Sequence, residues 1–109
     1  MKISLSETAF FDRGDFTGNV YVAKDEGKGF NALLVDCLKG HYKTKLKNAT
    51  RVYLVLQGKG TFMINGETKE AQVHDLFLIS DGDTYEYAGA MKLFEFNVPG
   101  TDSANEEKI

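Results

Sequence analysis

A single cysteine, a single proline and no tryptophan stand among 109 residues. Cys37 has no second thiol to pair with, which excludes an internal disulfide and a cysteine-based structural zinc site, and fits a reducing compartment. No apolar run approaches the roughly 20 residues of a membrane-spanning helix. The opening residues 1–14, MKISLSETAFFDRG, hold one early lysine and a broken apolar stretch, unlike a secretory leader. A net charge of −3 and a pI near 5.3 argue against broad nucleic-acid binding. The expectation is one cytoplasmic domain with neither nucleic acid nor membrane as partner. A chain of this length buries roughly 60 to 70% of its extended surface and needs no disulfide to fold.

Acidic residues are missing from one long stretch. Residues 37–66 hold Lys39, Lys43, Lys45, Lys47, Arg51 and Lys59 and no Asp or Glu, while residues 67–109 hold three lysines against ten acids. Such asymmetry can mark an anion site, or can be neutralised by acidic neighbours in the fold.

Helical periodicity is absent as well: no segment of ten residues sustains it. What is present is a period of two punctuated by glycine. Strands are expected at Val20–Val22, Ala32–Leu38, Arg51–Gln57, Thr61–Ile64, Thr68–Val73, Asp75–Ile79, Thr84–Tyr87 and Lys92–Val98. Asn65-Gly66 is a strong hairpin signal, because a type I′ turn needs positive φ at both central positions. Pro99 cannot donate to a sheet ladder and should end the last strand. Many short strands at this spacing predict an all-β sandwich or barrel over residues 1–98, followed by a polar and mobile tail at 99–109.

The segment Arg51–Glu67, RVYLVLQGKGTFMINGE, resembles the second half of the first motif of the cupin superfamily. His74–Gly89 (HDLFLISDGDTYEYAG) resembles the second motif, and Lys92–Pro99 the closing strand. The resemblance implies a jelly-roll or double-stranded β-helix barrel, and a homodimer. It also implies a metal held by His-x-His, a Glu and a later His. Here Arg51 stands at the Glu position and Tyr85 at the later His. Lys45 and Lys47, or Thr44 and Leu46 in the alternative register, stand at His-x-His. Arginine is always protonated and lysine ligates only after losing its proton, so this set repels a divalent cation. No metal or other cofactor is therefore expected.

Lys45, Lys47, Arg51, Tyr85, Tyr87 and His41 are the candidate ligand-binding residues, for a small polar or anionic molecule. Arginine offers a planar fork to carboxylate or phosphate, and the tyrosines can stack or hydrogen-bond. The plainer alternative is a solvated lysine face, since Lys39, His41, Lys43, Lys45 and Lys47 alternate and a regular strand puts all five on one side. His41 becomes a metal ligand only if a short insertion follows it, pairing with Lys43 where a histidine is expected. His74 falls in a turn and reads as a surface residue. Cys37 reads as a small core hydrophobe, or as a nucleophile if the lysines lower its pKa. Catalysis is left open between a ligand-binding barrel, an enzyme, and a non-catalytic dimerisation or regulatory module. The enzyme would be a metal-independent sugar isomerase or epimerase working through His41, Tyr85 or Cys37, or an oxygenase with unusual ligands.

Overall fold

The computed structural model describes residues 1–109. Eleven strands follow the period-two pattern: β1 (Ala9–Asp12), β2 (Phe16–Val22), β3 (Asn31–Cys37), β4 (Gly40–Leu46), β5 (Thr50–Gly58), β6 (Gly60–Ile64), β7 (Glu67–Ala71), β8 (Leu76–Ile79), β9 (Thr84–Ala88), β10 (Met91–Val98) and β11 (Glu106–Lys108). The only helical pieces are three short 3-10 turns, and no helix is long and apolar enough to cross a membrane. Two antiparallel sheets face each other, one ordered β1-β2-β3-β10-β5-β8 and the other β11-β4-β9-β6-β7. The stacked rings of Phe62 and Phe77, 4.1 Å apart, join them across the core. Asn65 and Gly66 both take positive φ, as the hairpin between β6 and β7 requires, and His74 lies exposed in a left-handed turn.

Alternation sorts the interior into layers. Within the first sheet, register sets Asn31, Asn97 and Arg51 side by side on β3, β10 and β5. Leu33, Glu95 and Tyr53 form the next inward row, and Val35, Leu93 and Val55 the row after that. One end of the barrel is therefore apolar and the other is lined by amides and charges. Burying such groups is costly unless each is paired, and here most of them pair with one another.

The polar tail is not a loose end. Beyond Pro99 the chain turns back over the polar end of the barrel, where Thr101 and Asn105 are buried and β11 pairs with β4. Hydrogen bonds hold it there: the Asn31 side chain donates to the Thr101 carbonyl, and the Asn105 side chain donates to the Lys47 carbonyl. The docking escapes a sequence reading because these contacts are polar and leave no hydrophobic signature.

Candidate active site

Strand β4 departs from regular alternation, and the departure decides what enters the barrel. His41 pairs with Tyr87 and Thr44 with Tyr85, so three steps on β4 match two on β9 and a bulge falls at Tyr42 and Lys43. His41, Thr44 and Leu46 thereby all point inward and are buried, while Lys43 is exposed and Lys45 and Lys47 lie on the outer face. The inward placement of Lys45 and Lys47 is thus corrected: of the two registers, the one with Thr44 and Leu46 inside is adopted. The five alternating residues are split by the bulge, which delivers the histidine without the lysines.

Arg51 sits at the centre of the polar end, 3% exposed. Its Nε donates to Asn97 Oδ1, Nη1 to Tyr85 Oη (2.7 Å) and to Glu106 Oε1, and Nη2 to Thr101 Oγ1 (3.1 Å). Glu95 lies 3.5 Å from Nε and accepts a further bond from Asn97. Burial works against the charge, yet Glu95, the neighbouring phenols and Glu106 more than offset it, so the guanidinium stays protonated. Four bonds leave one of its five N–H groups, on Nη2, without a protein acceptor. Arg51 is inside the barrel as the sequence suggested, but with two carboxylates already beside it.

The tyrosines form a layer beneath this cluster. Tyr53 and Tyr85 share a hydrogen bond of 3.0 Å, and Tyr87 packs edge-on against Tyr53. Burial raises the pKa of all three, keeping them protonated phenols. His41 lies among rings, with Phe16 at 4.8 Å, Tyr42 at 4.3 Å, Tyr87 at 5.2 Å and Tyr85 at 5.5 Å between centroids. Its Nδ1 lies 2.7 Å from the Tyr42 carbonyl, which can only accept, so Nδ1 carries the proton. Nε2 is left as a free lone pair with no partner in the protein. Burial lowers the pKa of His41, against the opposing pull of the Tyr42 carbonyl, Glu106 and Glu95, so the ring is neutral at pH 7.

A partly open cavity of about 290 Å³ lies over these groups. Phe11, Phe16 and Leu33 line it together with His41, Arg51 and Glu95. Phe11 fits because Gly18 has no side chain: a Cβ there would come within 2.2 Å of the ring. The tail completes the rim with Thr101, Ser103 and Glu106.

No protein-family profile matches the chain, and no curated protein is similar to it in sequence. Solved structures are similar in fold. Streptomyces PAC13, described as a nucleoside dehydratase, superposes with a TM-score of 0.88 at 20% identity, covering 100% of this chain and 90% of that one. Ectoine synthase from P. lautus gives 0.81 at 15% identity over 100% and 89%. The Cnp3 cupin domain of Schizosaccharomyces pombe gives 0.74 at 19% identity over 93% and 74%.

The chain has the cupin fold. Its donor set does not suit the metal of many cupins. The positions that match the usual ligands, Thr44, Leu46, Arg51 and Tyr85, offer a hydroxyl, an alkyl group, a guanidinium and a phenol, and no cluster of three metal-ligating side chains exists. Arg51 stands between the only carboxylates near His41, and its fixed charge opposes a cation there. Cys37 is buried in the apolar end, where burial and Asp15 raise its pKa to about 11, so the lowering by lysines does not occur. Glu95, Asn97, Asn31, Thr101 and Glu106 escaped the sequence reading. For Glu95 and Asn97 a signal existed, since both alternate with Leu93 and Met91 on the inward face of β10.

Proposed function

We propose that this cupin is a metal-independent acid–base enzyme whose ligand is a small, polar and uncharged polyhydroxylated molecule of the nucleoside or sugar kind. One observation carries the reading: a neutral His41, its tautomer set by the Tyr42 carbonyl, presents an unpaired Nε2 in a cavity beside a fixed guanidinium. That pair suits removal of a proton from a carbon next to a carbonyl. Nε2 takes the proton, the C–H electron pair becomes the double bond of an enolate, and the free Nη2–H of Arg51 stabilises the oxygen charge that develops. Expulsion of a β-hydroxyl, protonated as it leaves by the proton that His41 took up, restores the carbonyl, releases water and returns the imidazole to its neutral form; return of that proton to the opposite face of the same carbon would epimerise instead. Dehydration is the reading favoured, because PAC13 is a nucleoside dehydratase whose structures with uridine include replacements of a histidine or a tyrosine. His41 and Tyr42 line this cavity, and Tyr85 lies behind it as a hydrogen-bond partner of Arg51.

An uncharged ligand fits better than an anion. Arg51 already faces Glu95 and Glu106, so a phosphate would have to displace one of them or be repelled by both. The apolar wall of Phe11, Phe16 and Leu33 suits the flat face of a ring.

The test is proton exchange. The protein is incubated in D₂O with a panel of β-hydroxy aldehydes and ketones derived from pentoses and nucleosides. Deuterium uptake at the carbon next to the carbonyl, or absorbance of a conjugated product, is expected with wild type and lost in His41→Gln. Absence of exchange across the panel, or exchange that survives His41→Gln, would overturn the reading.

A further inference from the structure

Two neighbouring buried residues that border the cavity have hydrogen-bonding capacity that the protein leaves unused. Asn31, 7% exposed, donates from Nδ2 to the Thr101 carbonyl at 2.9 Å and to Thr101 Oγ1 at 3.4 Å. Its Oδ1 is buried without any partner. Rotating the amide by half a turn would set Oδ1 against the Thr101 carbonyl, two acceptors facing each other, so the orientation is fixed. Thr101 Oγ1 meanwhile receives N–H groups from both Arg51 and Asn31. With both lone pairs engaged, its own proton must point elsewhere. Side by side, then, stand a buried acceptor and a hydroxyl donor, on two residues that line the same cavity. The other buried orphan, the Tyr87 hydroxyl, lies in the core and does not line this cavity.

We infer that Asn31 and Thr101 form a recognition edge for a ligand carrying an adjacent N–H and C=O, as in a cyclic imide or lactam. Resting on the nucleoside reading above, this narrows the ligand to one whose ring keeps such a pair free, a uracil-type base rather than a bare sugar. Asn31 Oδ1 accepts the ring N–H, and the Thr101 hydroxyl donates to the carbonyl beside it. A buried acceptor left unmade is costly, so a ligand that satisfies it is selected over one that does not.

Titration calorimetry on the full chain with uridine, 3-methyluridine, uracil and ribose tests this. Wild type should bind uridine at least about tenfold more tightly than 3-methyluridine, which has lost the N–H. In Asn31→Ala the two affinities should converge, and Thr101→Val should weaken both by a similar factor because both keep the carbonyl. If Asn31→Ala does not fold, Asn31→Ser replaces it. Equal binding of uridine and 3-methyluridine by wild type, or an unchanged ratio in the Asn31 variant, overturns the inference while leaving the polyol reading intact. Uracil binding without binding of uridine or ribose supports the edge and overturns the polyol reading. If none of the four binds, both fail.

Discussion

Glu106, three residues from the end of the sequence, forms an ion pair with Arg51 at the centre of the barrel, Oε1 to Nη1 at 2.5 Å. The contact ties β11 to β5 across 55 positions of sequence and places a carboxylate where an anionic ligand would otherwise sit. Replacing Glu106 by Gln keeps a hydrogen-bonding oxygen and removes the charge. Since Glu95 still balances Arg51 and Glu106 is partly exposed, the expected loss is modest, about 1–2 kcal/mol in urea unfolding. A chain ending at Val98 should lose considerably more, because Thr101, Asn105 and β11 leave with it.

Arg51→Gln should be the most damaging single change at the site. It leaves Glu95 and Glu106 facing a common cavity without their cation, and breaking a buried pair from one side costs about 3–5 kcal/mol. Thermal unfolding measures it. Because the wild-type guanidinium is already matched, phosphate and sulfate should produce only a general salt effect on the melting temperature. An ion-specific rise seen in wild type and absent in Arg51→Gln would restore the anion-site reading.

Protonation of His41 should set both acid stability and the acid limb of activity. Its folded pKa is lowered from 6.5, chiefly by burial. Below pH 6.5 the unfolded chain therefore binds a proton that the folded chain does not, and stability falls until the folded pKa is passed. Above pH 6.5 the neutral ring adds no pH dependence. His41→Gln should unfold with a shallower acid dependence in that window, measured by chemical denaturation at a series of pH values. Where turnover is found, this substitution should lower kcat by about 10²–10⁴ with little change in KM, as expected for loss of a general base.

Cys37 should be unreactive in the native state. With a pKa of about 11, roughly one thiol in ten thousand is ionised at pH 7, and the side chain is buried. Alkylation should follow unfolding, and Cys37→Ala should spare any activity. Rapid labelling of folded protein would contradict the placement.

The outer face of the six-stranded sheet is the expected site of self-association. Leu76 and Leu78 on β8, Val52 and Leu54 on β5, and Phe94 and Phe96 on β10 are cross-strand neighbours on that face. Leu76 and Leu78 are more than half exposed in the single chain. The nearby charges, Lys92 and Asp36, lie 4.0 Å apart and offset each other, so a second copy would meet an apolar surface without net charge. Sedimentation should give a dimer at micromolar concentration, and Leu78→Glu should shift it to monomer. A monomeric wild type would remove this expectation.

Strand order and core were largely legible because period-two patterning and turn chemistry are local. Residues such as Val55, Phe62 and Leu93 announce themselves as interior by their neighbours alone. The resemblance located Arg51 and Tyr85 inside the barrel, since it counts from the well-marked strand that begins at Thr50. The chemistry of the cavity was legible only in part. A bulge is a two-strand property, set by how β4 meets β9, and nothing in GHYKTKL distinguishes a bulged strand from a regular one. Glu106 and Thr101 were unreadable for a different reason: a polar segment that docks by hydrogen bonds looks the same in sequence as one that stays in water.

Because the bulge skips Tyr42 and Lys43 in the pairing of β4 with β9, the strand is one residue longer than its partner needs. A homologue lacking either residue could run a regular strand and still bring His41, Thr44 and Leu46 to the same side. It would not bring the Tyr42 carbonyl to Nδ1, since that geometry belongs to the bulge. Its imidazole would then be free to carry the proton on either nitrogen. A length difference of one residue, trivial in an alignment, would separate chains that merely contain this histidine from chains that fix its tautomer and leave Nε2 as a lone pair.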